Sequence, residues 1–277
     1  MALAARSGRA PGALILHHAL RHSSLGALAG HQNRIPEARE VLEQLGSPDG
    51  ASELDEIIES VHVDGVAHSE PLFQKKYLKP IYLAVTVAAF NQLAGINAIL
   101  YYLNDIFSRA GFSKMSGSLQ AVIIGGTNLI ATLLAMSVID KLGRKTLLLI
   151  GAVGTAACLF GVAEIFYTSS HQSLLLWLLV GFIAFFAISQ GAVIWVYLSE
   201  VFPTRVRAKG QGLGSSSHWI TNAAIAYIFP QVAKSSGGAP FLLFGAMMVL
   251  QFFVVLFAYP ETKGITLEQL QHKLGID

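Results

Sequence analysis

Six long runs of apolar residues, separated by short charged stretches, constrain the fold of this chain more than any other feature. Each run is long enough to cross the hydrocarbon core of a bilayer, which needs about 20 helical residues. Membrane β-strands would be shorter and would alternate apolar with polar residues, a pattern that is absent here. The sequence therefore predicts an all-α membrane protein, a bundle of six transmembrane helices. The predicted spans are residues 78–107, 118–139, 146–167, 174–198, 210–232 and 239–259.

The composition places the chain in a membrane rather than in water. Of its 277 residues, 53% are hydrophobic and only 13% are charged, whereas soluble domains have roughly 25% charged residues. We therefore expect the lipid bilayer as its surroundings. A formal net charge of +2 is too small to predict a nucleic-acid partner. The single cysteine, Cys158, excludes an intrachain disulfide, and we interpret it as an apolar core side chain.

Basic residues predict the orientation of the spans, because short cytoplasmic loops are enriched in lysine and arginine. Ten such residues lie in the loops of one side and three in the loops of the other. The richer side is predicted to be cytoplasmic, together with both ends of the six-helix domain at residues 78–260. The ten are Lys75, Lys76, Lys79, Lys141, Arg144, Lys145, Arg205, Arg207, Lys209 and Lys263, and the three are Arg109, Lys114 and Lys234.

Two regions outside the spans are predicted to form short amphipathic helices on the cytoplasmic face. They are a helical linker at residues 34–77, for which a flexible linker is the alternative, and a C-terminal helix at residues 261–277. Residues 1–33 contain no acidic residue and no uninterrupted apolar core, so we expect a disordered segment rather than a signal peptide. His17, His18 and His22 lack a thiol or carboxylate partner nearby, and no metal site is expected.

An amide-rich stretch interrupts the first span. Residues 81–104 carry no charge, yet they contain Asn91, Gln92 and Asn97, with Gly95 among them. A buried amide in hydrocarbon is costly unless it is paired, so these side chains are expected to face either a cavity or a partner helix. Gly95 allows the helix to open locally, as in the discontinuous helices that line transporter cavities.

Four ordered stretches carry a resemblance to a known family. They read NQLAGINAILYY, GGTNLIATLLAMSVIDKLGRK, GAVIWVYLSEVFPTRVRAKG and PETKG. With them, the chain from residue 34 onward resembles the sugar porter family of the major facilitator superfamily. Members of that family have twelve spans, and this chain is similar to the cytoplasmic linker and the second six. The resemblance therefore implies the truncated C-terminal half of a major facilitator fold, without the first six spans.

The resemblance also implies a set of sugar-contacting side chains on four spans. A tryptophan of the fourth span would lie against the apolar face of the sugar ring. Asn91 replaces the family's usual glutamine, His218 stands where Asn or Gln is usual, and the proline pair before Trp195 is absent. The implied substrate-binding residues are Asn91, Gln92, Asn97, Tyr101, Asn128, Trp195 and His218.

Charged residues at the predicted cytoplasmic ends of the spans form a second implied set. In the family, such charges pair across helix ends and hold the inner face closed. Anchoring by positive charge would explain the basic residues, but it would not explain the acids, which contribute little to topology. The implied gate charges are Asp140, Arg144, Lys145, Glu200 and Arg207.

The function implied by the resemblance is transport of a monosaccharide, a hexose or a pentose, by alternating access, without metal or cofactor. The partner would be a separately encoded six-helix N-terminal half or a second copy of this chain. Alternatives are a truncated remnant that does not transport and a membrane-embedded half that binds or senses sugar. An enzyme is not expected, because the spans contain no Ser/His/Asp arrangement or paired carboxylates. The expected location is the bacterial inner membrane, with proton coupling left open.

Overall fold

A computed structural model describes residues 70–110, 117–265 and 267–276 of this chain. The predicted segment at 1–33, which contains His17, His18 and His22, and the predicted linker helices up to residue 69 lie outside these ranges. Pro71–Asp277 is one compact unit. The α-helices of the described ranges are α1 (Leu78–Leu93), α2 (Ile96–Tyr101), α3 (Leu103–Arg109), α4 (Gly117–Leu142), α5 (Arg144–Thr168), α6 (Leu175–Phe186), α7 (Ala192–Glu200), α8 (Arg207–Ser235), α9 (Ala239–Ala258) and α10 (Leu267–Leu274).

Five helical stretches of the described chain are long and apolar enough to cross a membrane. They are Lys75–Tyr101, Val122–Leu142, Arg144–Thr168, Gln172–Glu200 and Ala239–Ala258. The remaining predicted span, 210–232, is the fifth along the chain and lies within α8, which has 29 residues but a more polar composition than the other spans. The physical reason is that α8 buries glycine and polar side chains instead of a purely apolar face; these include Gly210, Gly214, His218 and Asn222.

The first span is interrupted where the sequence predicts. α1 ends at Leu93, α2 begins at Ile96, and Gly95 between them has a φ of +84°. A larger residue would be strained at this angle, and its Cβ would lie 2.2 Å from the ring of Phe244. The break therefore depends on glycine, and it confirms that the helix opens beside the amides.

Two apolar clusters fill the bundle, one towards each end of the spans. On α9, for example, Met248 belongs to the first cluster and Val255 to the second. The buried polar residue Gln251 lies between them. The same order holds on the other long helices, so a polar layer crosses the bundle between the two clusters. Its buried members are Asn91, Gln92, Thr155, Ser189, Gln190, His218, Asn222 and Gln251.

Close packing of α8 depends on glycine at particular positions. A Cβ at Gly210 would lie 2.4 Å from the ring of Phe202, which is fully buried. At Gly212, two residues further along the same helix, a Cβ would have no heavy atom within 4 Å. Only one face of α8 therefore requires the absence of a side chain.

We expect Gly210→Ala to destabilise the chain by about 1–3 kcal/mol, because the added methyl group must displace the buried Phe202 ring. Gly212→Ala is the matched control on the same helix. It should be neutral or slightly stabilising, since alanine favours a helix over glycine. Thermal unfolding of both variants in detergent measures the difference, and equal melting temperatures would contradict this packing.

Candidate functional site

Three amides of the first span form one hydrogen-bonded chain. Nδ2 of Asn97 donates to Oε1 of Gln92 over 3.0 Å, and Nε2 of Gln92 donates to Oδ1 of Asn91 over 3.2 Å. Nδ2 of Asn91 donates in turn to the backbone carbonyl of Gln190, also over 3.2 Å. Asn91 and Gln92 are buried, whereas Asn97 is half-buried. The amides are thus paired, as a water-free interior requires, and the chain extends towards the surface.

His218 of α8 and Trp195 of α7 extend this network. Nε2 of Gln92 lies 2.9 Å from Nε2 of His218, and because an amide nitrogen only donates, the ring nitrogen is the acceptor. The buried His218 ring lies 5.3 Å from the Trp195 ring, centroid to centroid. The Trp195 side chain is 47% exposed, so part of the indole remains open. The amide network, defined as Asn91, Gln92, Asn97, His218 and Trp195, thus brings five predicted binding residues together.

Asn128 of α4 takes no part in the contacts that define the amide network. Helical spacing of about 100° per residue places it in the stripe formed by Ile124, Ala131 and Ala135, which are all buried. The Asn128 side chain is nevertheless exposed. Tyr101, at the end of α2, is likewise exposed, at 58%.

Gln190 contacts the amide network through Asn91 but was not among the predicted binding residues. It lies in a π-helical segment, Ala187–Gly191, which joins α6 to α7 and ends just before the missing proline position. Its backbone carbonyl accepts the hydrogen bond from Asn91, and its own Nε2 donates to the sulfur of Met248 over 3.1 Å. Such segments often occur at functional sites. The sequence does contain a signal that could have identified Gln190: it is an amide side chain inside an apolar span, as Asn91 is.

Arg144 joins two of the predicted gate acids at the other end of the spans. Its Nη1 lies 2.9 Å from Oδ1 of Asp140, and its Nη2 lies 2.8 Å from Oε1 of Glu200. The side chain of Arg144 is 11% exposed, whereas that of Asp140 is 79% exposed. The second carboxylate oxygen of Glu200 accepts a hydrogen bond from Oγ1 of Thr262 over 2.6 Å. This Arg144 cluster therefore ties α4, α5 and α7 to the segment after α9.

Glu261, which was not among the predicted gate charges, completes the Arg144 cluster. Its carboxylate accepts hydrogen bonds from the backbone N–H groups of Arg144, at 2.9 Å, and Lys145, at 3.1 Å. These are the first N–H groups of α5, which lack partners within the helix and favour negative charge. Gly143, just before them, has a φ of +89°, and a Cβ there would lie 2.6 Å from Oε2 of Glu261. The acid of the PETKG stretch thus caps the third span.

The other two predicted gate residues make different contacts. Nζ of Lys145 donates to the carbonyl of Leu256 over 2.8 Å, which ties α5 to α9. Nε of Arg207 lies 3.4 Å from the carbonyl of Phe202, in the turn before its own helix. Within the described ranges, the ion pairs of Arg144 involve Asp140 and Glu200.

Comparison with known proteins identifies the family. Residues 28–274 match the family described as "Sugar (and other) transporter". The chain belongs to the sugar porter family of the major facilitator superfamily. It is therefore an integral, multi-pass membrane protein, in agreement with its apolar helices.

Curated relatives from several bacteria are transporters by name. The D-xylose-proton symporter of Escherichia coli is 37% identical over 198 residues, which cover 69% of this chain and 40% of the relative. The arabinose-proton symporter of Bacillus subtilis is 33% identical over 248 residues, or 88% and 53% of the two chains. The glucose facilitated diffusion protein of Zymomonas mobilis is 36% identical over 199 residues, or 69% and 42%. The chain thus spans about half the length of these relatives.

Solved structures confirm the fold class. The inward open xylose transporter XylE from E. coli superimposes with a TM-score of 0.70 at 32% identity, covering 86% of this chain and 49% of that one. The proton:xylose symporter XylE bound to 6-bromo-6-deoxy-D-glucose gives a TM-score of 0.69 at 31% identity, covering 91% and 54%. The described helices therefore have the fold of one half of a major facilitator protein, as the sequence predicted.

For the Arg144 cluster we expect Glu200→Ala to destabilise the chain by about 1–3 kcal/mol, because it removes partners of both Arg144 and Thr262. Asp140→Ala is the matched control, as it removes an exposed partner of the same arginine and should cost less than about 1 kcal/mol. Thermal unfolding in detergent compares the two variants. A loss for Asp140→Ala as large as that for Glu200→Ala would show that burial of the cluster is not what stabilises it.

Proposed function

We propose that this chain binds a monosaccharide, a hexose or a pentose, at the amide network. The observation that carries the proposal is the continuous hydrogen-bonded path from the buried polar layer to the half-buried Asn97. The partly open indole of Trp195 lies beside the buried end of this path, against His218. The names of the relatives, which include xylose, arabinose and glucose transporters, support the same class of substrate.

The chemistry of these side chains suits a sugar. Hydroxyl groups both donate and accept hydrogen bonds, and an amide offers both functions without the desolvation cost of a full charge. Asn97 uses one donor in its bond to Gln92, which leaves a second N–H and its own oxygen for a ligand. The open part of Trp195 matches the apolar C–H face of a sugar ring. We assign Asn128 and Tyr101 as further contacts, because both are open.

We further propose that a second six-helix unit completes the site and makes transport possible. Trp195, Asn128 and Tyr101 are exposed, so the described helices supply one wall of a binding site. Alternating access requires two such units that rock about a site between them. The second unit is an N-terminal six-helix half or another copy of this chain. In this proposal the Arg144 cluster closes the cytoplasmic end in one of the two states.

The proposed location is the bacterial inner membrane. The relatives from E. coli, B. subtilis and Z. mobilis support it, although others come from Arabidopsis thaliana and Kluyveromyces lactis. Two of these bacterial relatives are named proton symporters and one is named a facilitated diffusion protein. Coupling to protons is therefore not part of the proposal.

We expect xylose or glucose to change the tryptophan fluorescence of the detergent-solubilised chain, because Trp195 is open beside the amide network. Gln92→Ala should weaken binding about 5- to 150-fold, since the amide pairs with both Asn97 and His218. Gln231→Ala is the matched control, since it removes an exposed amide near the end of α8. Saturable binding that Gln92→Ala leaves intact would place the sugar elsewhere.

Transport is tested separately, in liposomes. We expect no saturable uptake of xylose or glucose by the chain alone. Uptake should appear when the N-terminal half of the E. coli D-xylose-proton symporter is co-reconstituted, and Gln92→Ala should abolish it. Saturable uptake by the chain alone that depends on Gln92 would show that a separate N-terminal half is not needed. Cross-linking of such a preparation then decides whether two copies have paired.

A further inference from the structure

A cavity of about 440 Å³ lies where the first and last spans meet the C-terminal helix. It shares no lining residue with the amide network. Its floor is fixed, because the hydroxyl of buried Tyr259 lies 2.7 Å from Oγ1 of Thr86. The lining residues are Lys79, Tyr82, Leu83, Phe257, Ala258, Tyr259, Pro260, Lys273 and Leu274.

The cavity carries positive charge from two separate helices. Lys79 comes from the first turn of α1 and Lys273 from the last turn of α10, and both side chains are exposed. Nζ of Lys79 lies 3.7 Å from the position that a Cβ of Gly275 would occupy, so the ammonium group sits beside the end of α10. The described lining residues include no aspartate or glutamate. Two cations therefore face one cavity without an acid in its wall.

The cavity lies at the ends of the first and last spans. Lys79 and Tyr82 lie at the start of the first span, and Phe257 lies at the end of the last one. Tyr82 and Phe257 are 49% and 80% exposed, so an apolar and aromatic rim adjoins the two charges. Aromatic side chains at span ends lie at the level of the lipid headgroups, and lysines near span ends extend their charge to the same level.

We propose that this cavity binds the headgroup of an anionic phospholipid. Lys79 and Lys273 contact the phosphate, and the rim of Tyr82 and Phe257 contacts the glycerol and the start of the acyl chains. The predicted cytoplasmic orientation places the cavity in the leaflet that presents anionic lipids to basic residues near spans. A bound lipid would hold α10 against the ends of α1 and α9. This inference is independent of the proposed sugar site.

The phosphate group could also come from a soluble anion, but the rim favours a lipid. A small inorganic anion would need only the two lysines and would gain nothing from Phe257, which is 80% exposed. A phospholipid brings both the charge and the apolar portion that these neighbouring groups match. The two sources make different predictions for competition and for substitution of the rim.

The test titrates the full 277-residue chain, in a neutral detergent without a sugar headgroup, with short-chain phosphatidylglycerol, phosphatidylcholine or inorganic phosphate. Native mass spectrometry counts the bound molecules. We expect one saturable phosphatidylglycerol, weakened about five-fold by Lys79→Gln or Lys273→Gln and about 25-fold by both. Phe257→Ser should also weaken it. Lys234→Gln is the matched control, because this exposed lysine lies near the C-terminal end of α8 and outside the cavity lining. It should leave phosphatidylglycerol binding unchanged.

Several outcomes would overturn the proposal. Unchanged phosphatidylglycerol binding in the double variant would show that the lipid binds outside this cavity. Equal affinity for phosphatidylcholine would show that the lipid binds through apolar contacts and not through its charge. Competition by inorganic phosphate at the same concentration would show that the site binds a soluble anion. Circular dichroism checks that the variants keep their helices. Raising the salt concentration on the unaltered chain gives a second measurement, since a charge-based site must weaken as salt screens the lysines.

Discussion

Polar side chains in the middle of a membrane bundle have to find partners within the protein, and this requirement organises the structure. Hydroxyl groups meet it locally: Oγ1 of Thr155 donates to the carbonyl of Gly151, and Oγ of Ser189 donates to that of Phe185, each over 2.6 Å. The amides of the polar layer reach further, from Asn91 to Gln190 and from Gln92 to His218. These two hydroxyl groups bond to carbonyls four residues earlier in the chain, whereas the amides connect α1, the π-helical segment and α8.

Small residues make these contacts possible. A Cβ at Gly151 would lie 1.8 Å from Oγ of Ser189, so α5 approaches the π-helical segment as closely as backbone and hydroxyl allow. Gly95 plays the same part between the first span and Phe244 of α9. At the charged end, Gly143 leaves room for the carboxylate of Glu261 over the first N–H groups of α5. In each case a polar partner or an aromatic ring occupies the space that a side chain would need.

Much of the fold followed from the sequence, because span length and the positive φ at Gly95 are local properties. The fifth span was harder to judge by apolarity, since α8 buries His218 and Asn222 and leaves Trp219 and Ile220 exposed. Hydropathy measures what a helix would show to lipid, and α8 uses its polar side chains for contacts inside the bundle.

The site was predicted in part for a related reason. Asn91, Gln92 and Asn97 are conspicuous because they interrupt a charge-free run, and Trp195 and His218 followed from the resemblance. Gln190 and Glu261 were missed because their roles depend on distant partners. Gln190 is 99 residues from Asn91, and Glu261 is 117 residues from Arg144. Such pairings require the three-dimensional arrangement, which a single sequence does not supply.

The pairing of the amides also limits how a ligand gains affinity. A sugar that merely replaced the bonds between Asn97, Gln92 and His218 would exchange one set of hydrogen bonds for another, with little net gain. The gain has to come from unused donors and acceptors and from covering the open indole of Trp195. Both lie at the exposed side of the described helices. A second wall that excludes water from that side would strengthen each of these contacts, because hydrogen bonds are stronger in a low-dielectric site. Under the proposed function, affinity for a sugar therefore depends on closure of the site by a second wall, as alternating access requires.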